Sequence, residues 1–211
     1  MVRVASVPKL QSMTVTLPLA AALWVIVFLW QPVNFWVLMS LATGSLGLLA
    51  LSLRGAFPLE EGFRPGDVVI GVVSAALLYG VFWAGDVVSS TTLPFAPRQV
   101  GEVYQLRSLA HPALLALLLA TVIAPGEELY WRGLVQQRFD ERWGPWKGWA
   151  LGTAAYGGVH MLTANPMLVV AATVAGAVWG ALYAHQRRIL PVLISHVVWG
   201  LLVFVLFPLH N

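Results

Sequence analysis

Long apolar stretches, separated by short polar or Pro- and Gly-rich breaks, run through almost the whole chain. A helix that crosses the hydrocarbon core of a bilayer needs about 20 mainly apolar residues. The stretches that approach this length predict seven helices, at residues 14–30, 33–53, 67–84, 109–137, 143–162, 166–184 and 189–208. We therefore expect an all-α fold: a polytopic membrane helical bundle of about seven transmembrane helices with a buried polar cavity, forming a single transmembrane domain over residues 1–211.

Composition supports a membrane protein. Hydrophobic residues make up 59% of the chain and charged residues 10%, whereas soluble domains carry about 25% charged residues. The formal net charge of +3 does not indicate a nucleic-acid partner, because the basic residues lie in short loops beside apolar stretches. The expected partner is the lipid bilayer. The absence of Cys excludes disulfides, thiolate metal sites and cysteine nucleophiles.

The basic residues also predict an orientation. With the N-terminus inside, nine basic residues lie on the inner side and two on the outer side, as the positive-inside rule requires. The inner set is Arg3, Lys9, Arg54, Arg64, Arg138, Arg142, Lys147, Arg187 and Arg188, and the outer set is Arg98 and Arg107. We expect the C-terminus outside. The prevalence of Arg over Lys suits the inner membrane of a bacterium with a GC-rich genome.

Two segments have alternative interpretations at this stage. The first apolar run follows basic residues as in a signal peptide, but it continues to Trp30 without a small-residue cleavage site and is interpreted as a retained helix. The outer segment 85–108 contains Pro94, Pro97 and several Ser and Thr residues. We interpret it as a surface loop, with a lid across a site as the alternative.

The fourth predicted helix carries charges that a membrane span does not tolerate without a reason. Glu127, Glu128 and Arg132 follow an uncharged run. A charge near the bilayer centre costs at least about 2.5–3.5 kcal/mol on insertion scales, so these side chains should face a protein interior or a water-filled cavity. Glu128 and Arg132 are four residues apart, which predicts a structural ion pair on one helix face.

Glu127 is the candidate base. It points about 100° away from Glu128 and has no cation one helical turn away, so we interpret it as the free carboxylate. The preceding Pro125-Gly126 predicts a kink or a fresh helix start, whose unpaired N–H groups would stabilise a negative charge beside it. A Glu in such an environment can act as a general base near neutral pH.

Two histidines fall inside later spans, His160 in the fifth and His196 in the seventh. Either one alone is more typical of a hydrogen-bonded packing residue than of a catalytic one. Their depths along the helices permit convergence with Glu127. The motifs Gly148-x-x-x-Gly152 and Gly176-x-x-x-Gly180 would let the helices approach closely.

The ordered set of Glu127-Glu128-x-x-x-Arg132, an aromatic residue four before His160, and a last His-bearing helix resembles the CPBP family of CAAX proteases and bacteriocin-processing enzymes, also called Abi. The resemblance covers about residues 109–208. It implies an intramembrane glutamic endopeptidase in which Glu127 and His160 activate water and His196 stabilises the oxyanion. Glu128, Arg132, Tyr156 and Trp199 would support these three. The implied substrates are membrane-tethered peptides or proteins, and the processing of a C-terminal sorting segment, as in the myxosortase-like branch, is one specific role.

The chain departs from the family pattern at two positions. Tyr156 replaces the usual Phe and keeps an aromatic ring one turn before His160. Gly200 stands where many members have Asn or another polar oxyanion donor, four residues after His196. Trp199 offers an indole N–H and Ser195 a hydroxyl in its place. Trp199 is about 100° from the expected face, and Ser195 can bond its own helix backbone.

Other functions are considered beside this one. A metal-dependent membrane protease is disfavoured, since no His-Glu-x-x-His pair occurs and Arg132 competes for the carboxylates, so no metal or cofactor is expected. Aspartyl chemistry fails because the aspartates lie at span ends or in loops, and rhomboid-type serine chemistry lacks a Gly-x-Ser-x-Gly stretch. A non-catalytic scaffold or immunity protein remains open. It would need the Glu128–Arg132 pair and would gain nothing from Glu127.

Overall fold

The computed structural model describes residues 11–54 and 62–209, and these residues form eight helices. The helices are α1 Gln11–Val25 with a π turn at Ile26–Trp30, α2 Phe35–Arg54, α3 Pro65–Thr92, α4 Ala96–Gln105, α5 Pro112–Trp143, α6 Pro145–His160, α7 Pro166–Gln186, and α8 Ile189–Leu201 with a π turn at Leu202–Leu206. The predicted all-α bundle is confirmed.

Proline defines where several helices begin. It occupies the first helical position of α3, α5, α6 and α7, where its missing N–H removes no helical hydrogen bond. Side chains cap two of these starts: His111 accepts a hydrogen bond from the N–H of Ala113, and Asn165 accepts one from the N–H of Leu168. The loops therefore end at defined residues.

Six of the helices among the described residues are long and apolar enough to cross a membrane. The helix predicted at 143–162 is the exception, because α6 has only 16 residues. It nevertheless runs from one end of the bundle to the other, antiparallel to α5 and α7. Its start packs at Gly148 against Asp140, and just beyond its end the side chain of Asn165 donates to the carbonyl of Gln99 in α4 (3.0 Å). The seven helices other than α4 therefore alternate in direction.

Ion pairs on buried aspartates tie together one end of the bundle, which we call the basic end. Arg188, before α8, contacts Asp67 at the start of α3 (2.7 Å), and Arg187, after α7, contacts Asp140 in α5 (2.6 Å). Both aspartates are buried. Of the basic residues that predict the orientation, Arg3 and Lys9 lie outside the described residues, whereas Arg187 and Arg188 help to define this end.

The opposite end is covered by α4, and we call it the α4 end. The predicted loop 85–108 is wrong: α3 continues to Thr92, and α4 occupies most of the remainder. The indole of Trp36 donates to the carbonyl of Leu106 (2.8 Å), and Arg107 donates to the carbonyl of Phe204 (2.7 Å). This segment is therefore a helical cover fixed to α2 and α8.

Small residues set the closest helix contacts. A Cβ added to Gly126 in α5 would collide with the backbone of Thr43 in α2, so the two helices touch at this point. Gly152 faces Gln136 in α5, and Gly176 faces Tyr156 in α6. The predicted close approach at the Gly-x-x-x-Gly motifs is confirmed. It lets α5, α6 and α7 bring their polar side chains together.

Two apolar clusters flank that polar region. The larger joins α1, α2, α5 and α6 and contains the fully buried Trp24 and Leu46. The smaller joins α3, α7 and α8 around Leu78, Trp179 and Val192. The polar side chains of the candidate site lie between the two clusters.

Candidate active site in the bundle interior

α5 passes Pro125 without breaking. Ile123 and Ala124 both have helical φ and ψ, and the π turn Leu119–Ile123 precedes the proline. The wider turn accommodates a residue that has no N–H to donate. The expected fresh helix start is therefore wrong, and Glu127 lies within a continuous helix rather than at an N-terminus with free N–H groups.

The predicted pair of Glu128 and Arg132 is confirmed. Their side chains are 3.0 Å apart, and both are almost completely buried. Arg132 also donates to the carbonyl of Gly176 (3.3 Å), and its guanidinium lies over the rings of Tyr156 and Trp179 at 4.7 and 5.5 Å. The pair thus fastens α5 to α7.

Glu128 has a second partner that sequence analysis missed. Nδ1 of His196 lies 2.7 Å from the same carboxylate oxygen that Arg132 contacts. Because a carboxylate accepts, Nδ1 donates, and the ring orientation of His196 is fixed by this bond and by Trp179, which stacks on it at 3.8 Å. Glu128 therefore positions His196 in addition to pairing with Arg132.

Glu127 has a hydrogen-bond partner in α6. Its carboxylate accepts a hydrogen bond from the hydroxyl of Tyr156 (2.8 Å), and only 4% of the residue is exposed. The interpretation of Glu127 as a free carboxylate is thus corrected. The hydroxyl that distinguishes Tyr156 from the usual Phe is the group that binds it.

His160 has both ring nitrogens engaged. Nδ1 lies 2.7 Å from the carbonyl of Tyr156, and Nε2 lies 3.2 Å from the indole nitrogen of Trp24. A carbonyl can only accept and an indole N–H can only donate, so the ring is the neutral tautomer with its proton on Nδ1. Trp24 belongs to α1, 136 residues away in sequence. No pattern in the sequence indicated this contact.

The three predicted catalytic side chains line one cavity. It has a volume of about 130 Å³, and its walls include Glu127, His160 and His196 together with Tyr156 and Trp199. The cavity is also lined by Val103 and Leu106 of the α4 segment, so it lies toward the α4 end.

The region around Gly200 lacks the polar side chain of the family pattern, and the structure gives Trp199 and Ser195 different surroundings. The indole N–H of Trp199 is buried without a partner, and the ring lines the cavity. Ser195 instead accepts from Trp179 and donates to Ser74 in α3, both at 3.1 Å. Trp199 thus has an unused N–H in a ring that lines the cavity, whereas Ser195 serves helix packing.

The described residues contain no group of three or more His, Asp or Glu side chains placed to hold a metal ion. Glu128 is occupied by Arg132 and His196, and His160 by Tyr156 and Trp24. The arrangement instead offers a carboxylate, a neutral imidazole and two ring donors around one cavity. Such a set can activate water and bind an oxyanion.

One comparison with known proteins found a match. Residues 109–202 match the family model described as type II CAAX prenyl endopeptidase Rce1-like. Neither a curated protein nor a solved structure matches the chain. The match confirms the resemblance to CAAX proteases, and it includes Glu127, His160 and His196 but not Trp24. The match to the Rce1-like model of type II CAAX prenyl endopeptidases covers somewhat less than half of the chain, and it is the half that contains Glu127, His160 and His196.

Proposed function

We propose that the chain is an intramembrane endopeptidase of the glutamic type, which hydrolyses membrane-tethered peptides or proteins with water activated by Glu127 and His160. The family supports a CAAX-type endopeptidase in the membrane. The observation that carries the mechanism is the convergence of Glu127, His160 and His196 on one cavity. Removal of a C-terminal sorting segment is the specific role that we propose, in a bacterial inner membrane with the N-terminus inside and the C-terminus outside.

In this mechanism Glu127 takes a proton from water as the water oxygen attacks the peptide carbonyl carbon. Its carboxylate oxygen bound to Tyr156 is occupied, which leaves the other oxygen for the proton. The negative charge moves to the carbonyl oxygen, and His196 and Trp199 stabilise it there. The proton then passes to the leaving nitrogen, and the C–N bond breaks to give a carboxylate and an amine.

The Glu128 bond explains how His196 would donate to that oxyanion. With Nδ1 donating to Glu128, the Nε2 atom is left for the cavity, and it donates to the oxyanion when it carries a proton. Arg132 shares the same carboxylate. Glu128 and Arg132 are therefore positioning residues rather than catalytic ones.

The function can be tested in the native host. A strain carrying Glu127→Gln is compared with wild type by mass spectrometry of membrane peptides and of protein C-termini. Uncleaved precursors should accumulate in the variant strain although the amount of the Glu127→Gln protein equals that of the wild type. These precursors would identify the substrate. An unaltered profile in a host without a redundant protease would favour the scaffold function.

Trp199 and Gly200 give a prediction about the oxyanion donor. Trp199→Phe removes the unpartnered N–H and should lower kcat by about 10²- to 10³-fold, the usual effect of losing one oxyanion donor. Gly200→Asn in that background should recover at least about tenfold, because the nearest atom to an added Cβ is 3.9 Å away and a side chain has room. Rates are measured on reconstituted protein at saturating substrate.

The control for Gly200→Asn is Gly200→Leu in the same background, because Leu is similar in size to Asn but has no hydrogen-bond donor. Recovery with Leu as well as Asn would mean that bulk, not hydrogen bonding, matters at this position. An unchanged kcat for Trp199→Phe would remove Trp199 from the mechanism.

Trp24 gives a second prediction, because its N–H and the attacking water compete for the one lone pair of His160 Nε2. Trp24→Phe should raise kcat by about two- to tenfold, the range that corresponds to one net hydrogen bond. His160 should keep its orientation through Tyr156, whose carbonyl and ring both contact it. Rates are compared well below the melting temperatures of the wild type and of Trp24→Phe. A tenfold fall in kcat in the variant would show instead that Trp24 orients the imidazole of His160.

A further inference from the structure

A second cavity, the lateral groove, lies between α3, α4, α7 and α8 near the α4 end. Its volume is about 300 Å³, and nearly all of its walls are apolar. Val81, Leu93 and Val170 line it and are between 38% and 56% exposed. In a membrane such exposed apolar side chains face lipid, so the groove opens sideways to the bilayer rather than to water.

One charged residue lines this groove. Asp86 lies on α3 about 9 Å along the axis from the last residue, Thr92, and its Oδ1 atom is buried without a hydrogen-bond partner. Tyr104 stands in the same wall. Burial raises the pKa of the Tyr104 hydroxyl to about 12, so the phenol is neutral near pH 7 and adds no charge to the groove. An unpartnered carboxylate oxygen in apolar surroundings indicates a missing cationic or donor partner.

The lateral groove adjoins the catalytic cavity. The two cavities have a common wall, which consists of Val103, Leu168, Ala171, Trp199 and Phe204. A chain that enters the groove from the bilayer therefore lies one side-chain layer from the candidate catalytic residues. The groove is in the correct place for the part of a substrate that continues from the scissile bond.

We propose that the lateral groove binds an apolar segment of the substrate polypeptide that carries one basic side chain, with the Lys or Arg cation paired to Asp86. This inference rests on the proposed function and specifies its substrate class. The apolar walls bind the hydrophobic side chains, and Asp86 selects the basic one.

The charge argues against a plain hydrocarbon occupant such as a prenyl group. A hydrocarbon chain would cover the Asp86 carboxylate and leave its oxygen buried and unpaired, which is costly for an ionised group. A guanidinium or ammonium removes that penalty and adds a charge-assisted hydrogen bond. A basic residue within an apolar segment therefore fits the groove better than an uncharged chain of the same size.

The test uses two synthetic peptides with the full-length protein in proteoliposomes. Each peptide has an apolar segment of Leu and Ala with one photoreactive leucine, followed by Arg in the first peptide and by its neutral isostere citrulline in the second. After illumination at subsaturating concentration, mass spectrometry maps the labelled segments of the protein. We expect the Arg peptide to label α3 and α7 near the groove at least about tenfold more strongly than the citrulline peptide.

Asp86→Asn should abolish that preference while leaving the labelling by the citrulline peptide unchanged, and Asp86→Glu should retain part of it. Equal labelling by both peptides in the wild type would overturn the proposal. Stronger labelling by a farnesylated peptide without Arg, insensitive to Asp86→Asn, would overturn it in favour of a lipid site. The peptides should label the Glu127→Gln variant as strongly as the wild type. A loss of hydrolysis can therefore be distinguished from a loss of groove binding.

Discussion

Replacing Glu127 by Gln is expected to lower the rate of peptide hydrolysis by about 10²- to 10⁴-fold, the range that general-base catalysis contributes. Gln has the same shape and can still accept the hydroxyl hydrogen bond of Tyr156, but it cannot take a proton from water. The melting temperature should therefore stay within a few degrees of wild type. Rates are measured under single-turnover conditions, with thermal unfolding followed on the same preparations.

Glu102→Gln is the matched control for this change. Glu102 lies on α4 in an exposed pair with Arg98, so its replacement should alter neither the rate nor the stability. Activity of Glu127→Gln within threefold of wild type would remove Glu127 from the mechanism and favour a packing role for the buried carboxylate.

Replacing Arg132 by Met is expected to destabilise the protein by about 3–5 kcal/mol, because it leaves the carboxylate of Glu128 buried without its cation. In a protein of this size that corresponds to a fall in melting temperature of roughly 10 °C. The double variant Glu128→Gln with Arg132→Met removes both charges, and its amide oxygen still accepts from His196. It should recover most of the lost stability.

The exposed ion pair between Arg98 and Glu102 supplies the control for Arg132→Met as well. Arg98→Met should cost no more than about 1 kcal/mol, since a surface ion pair contributes little. If Arg132→Met were no more harmful than Arg98→Met, the ion pair would not be what holds α5 against α7. If the double variant were as unstable as the single one, the loss would come from the contacts of Arg132 with Gly176, Tyr156 and Trp179 rather than from an unpaired charge.

Hydropathy predicted the helices well because each span must satisfy its own backbone in lipid, which makes length and apolar composition decisive. It failed where a segment lies at the membrane surface. The segment 85–108 contains prolines and hydroxyl residues, yet Pro97 lies within the first turn of α4, where a proline is tolerated. The end of α3 continues through Ser89 and Thr92, which bond to carbonyls of their own helix.

Local spacing likewise predicted local contacts. The Glu128–Arg132 pair follows from a separation of four residues, which is fixed by helix geometry. The bond from His196 to Glu128 and the bond from Trp24 to His160 join residues 68 and 136 positions apart, and no periodicity encodes them. They depend on how the helices pack, so only the three-dimensional arrangement reveals that Trp24 reaches the site.

Proline was the other source of error. A Pro-Gly pair inside an apolar run is typical of a helix break, and the prediction of a kink or a new N-terminus beside Glu127 followed from it. α5 avoids the break by a π turn on the preceding residues, and Gly126 serves a different purpose by allowing contact with Thr43 of α2. The electrostatic surroundings of Glu127 therefore come from Tyr156, His196 and the Glu128–Arg132 pair rather than from a helix terminus.

The most direct test of catalysis by Glu127 is hydrolysis in H₂¹⁸O by purified protein in proteoliposomes, with a substrate identified by precursor accumulation. We expect one cut, with one ¹⁸O atom in the new carboxyl group, in wild type and in Glu102→Gln but not in Glu127→Gln. Cleavage that persists in Glu127→Gln, or no cleavage of that substrate by the wild-type protein, would contradict this expectation.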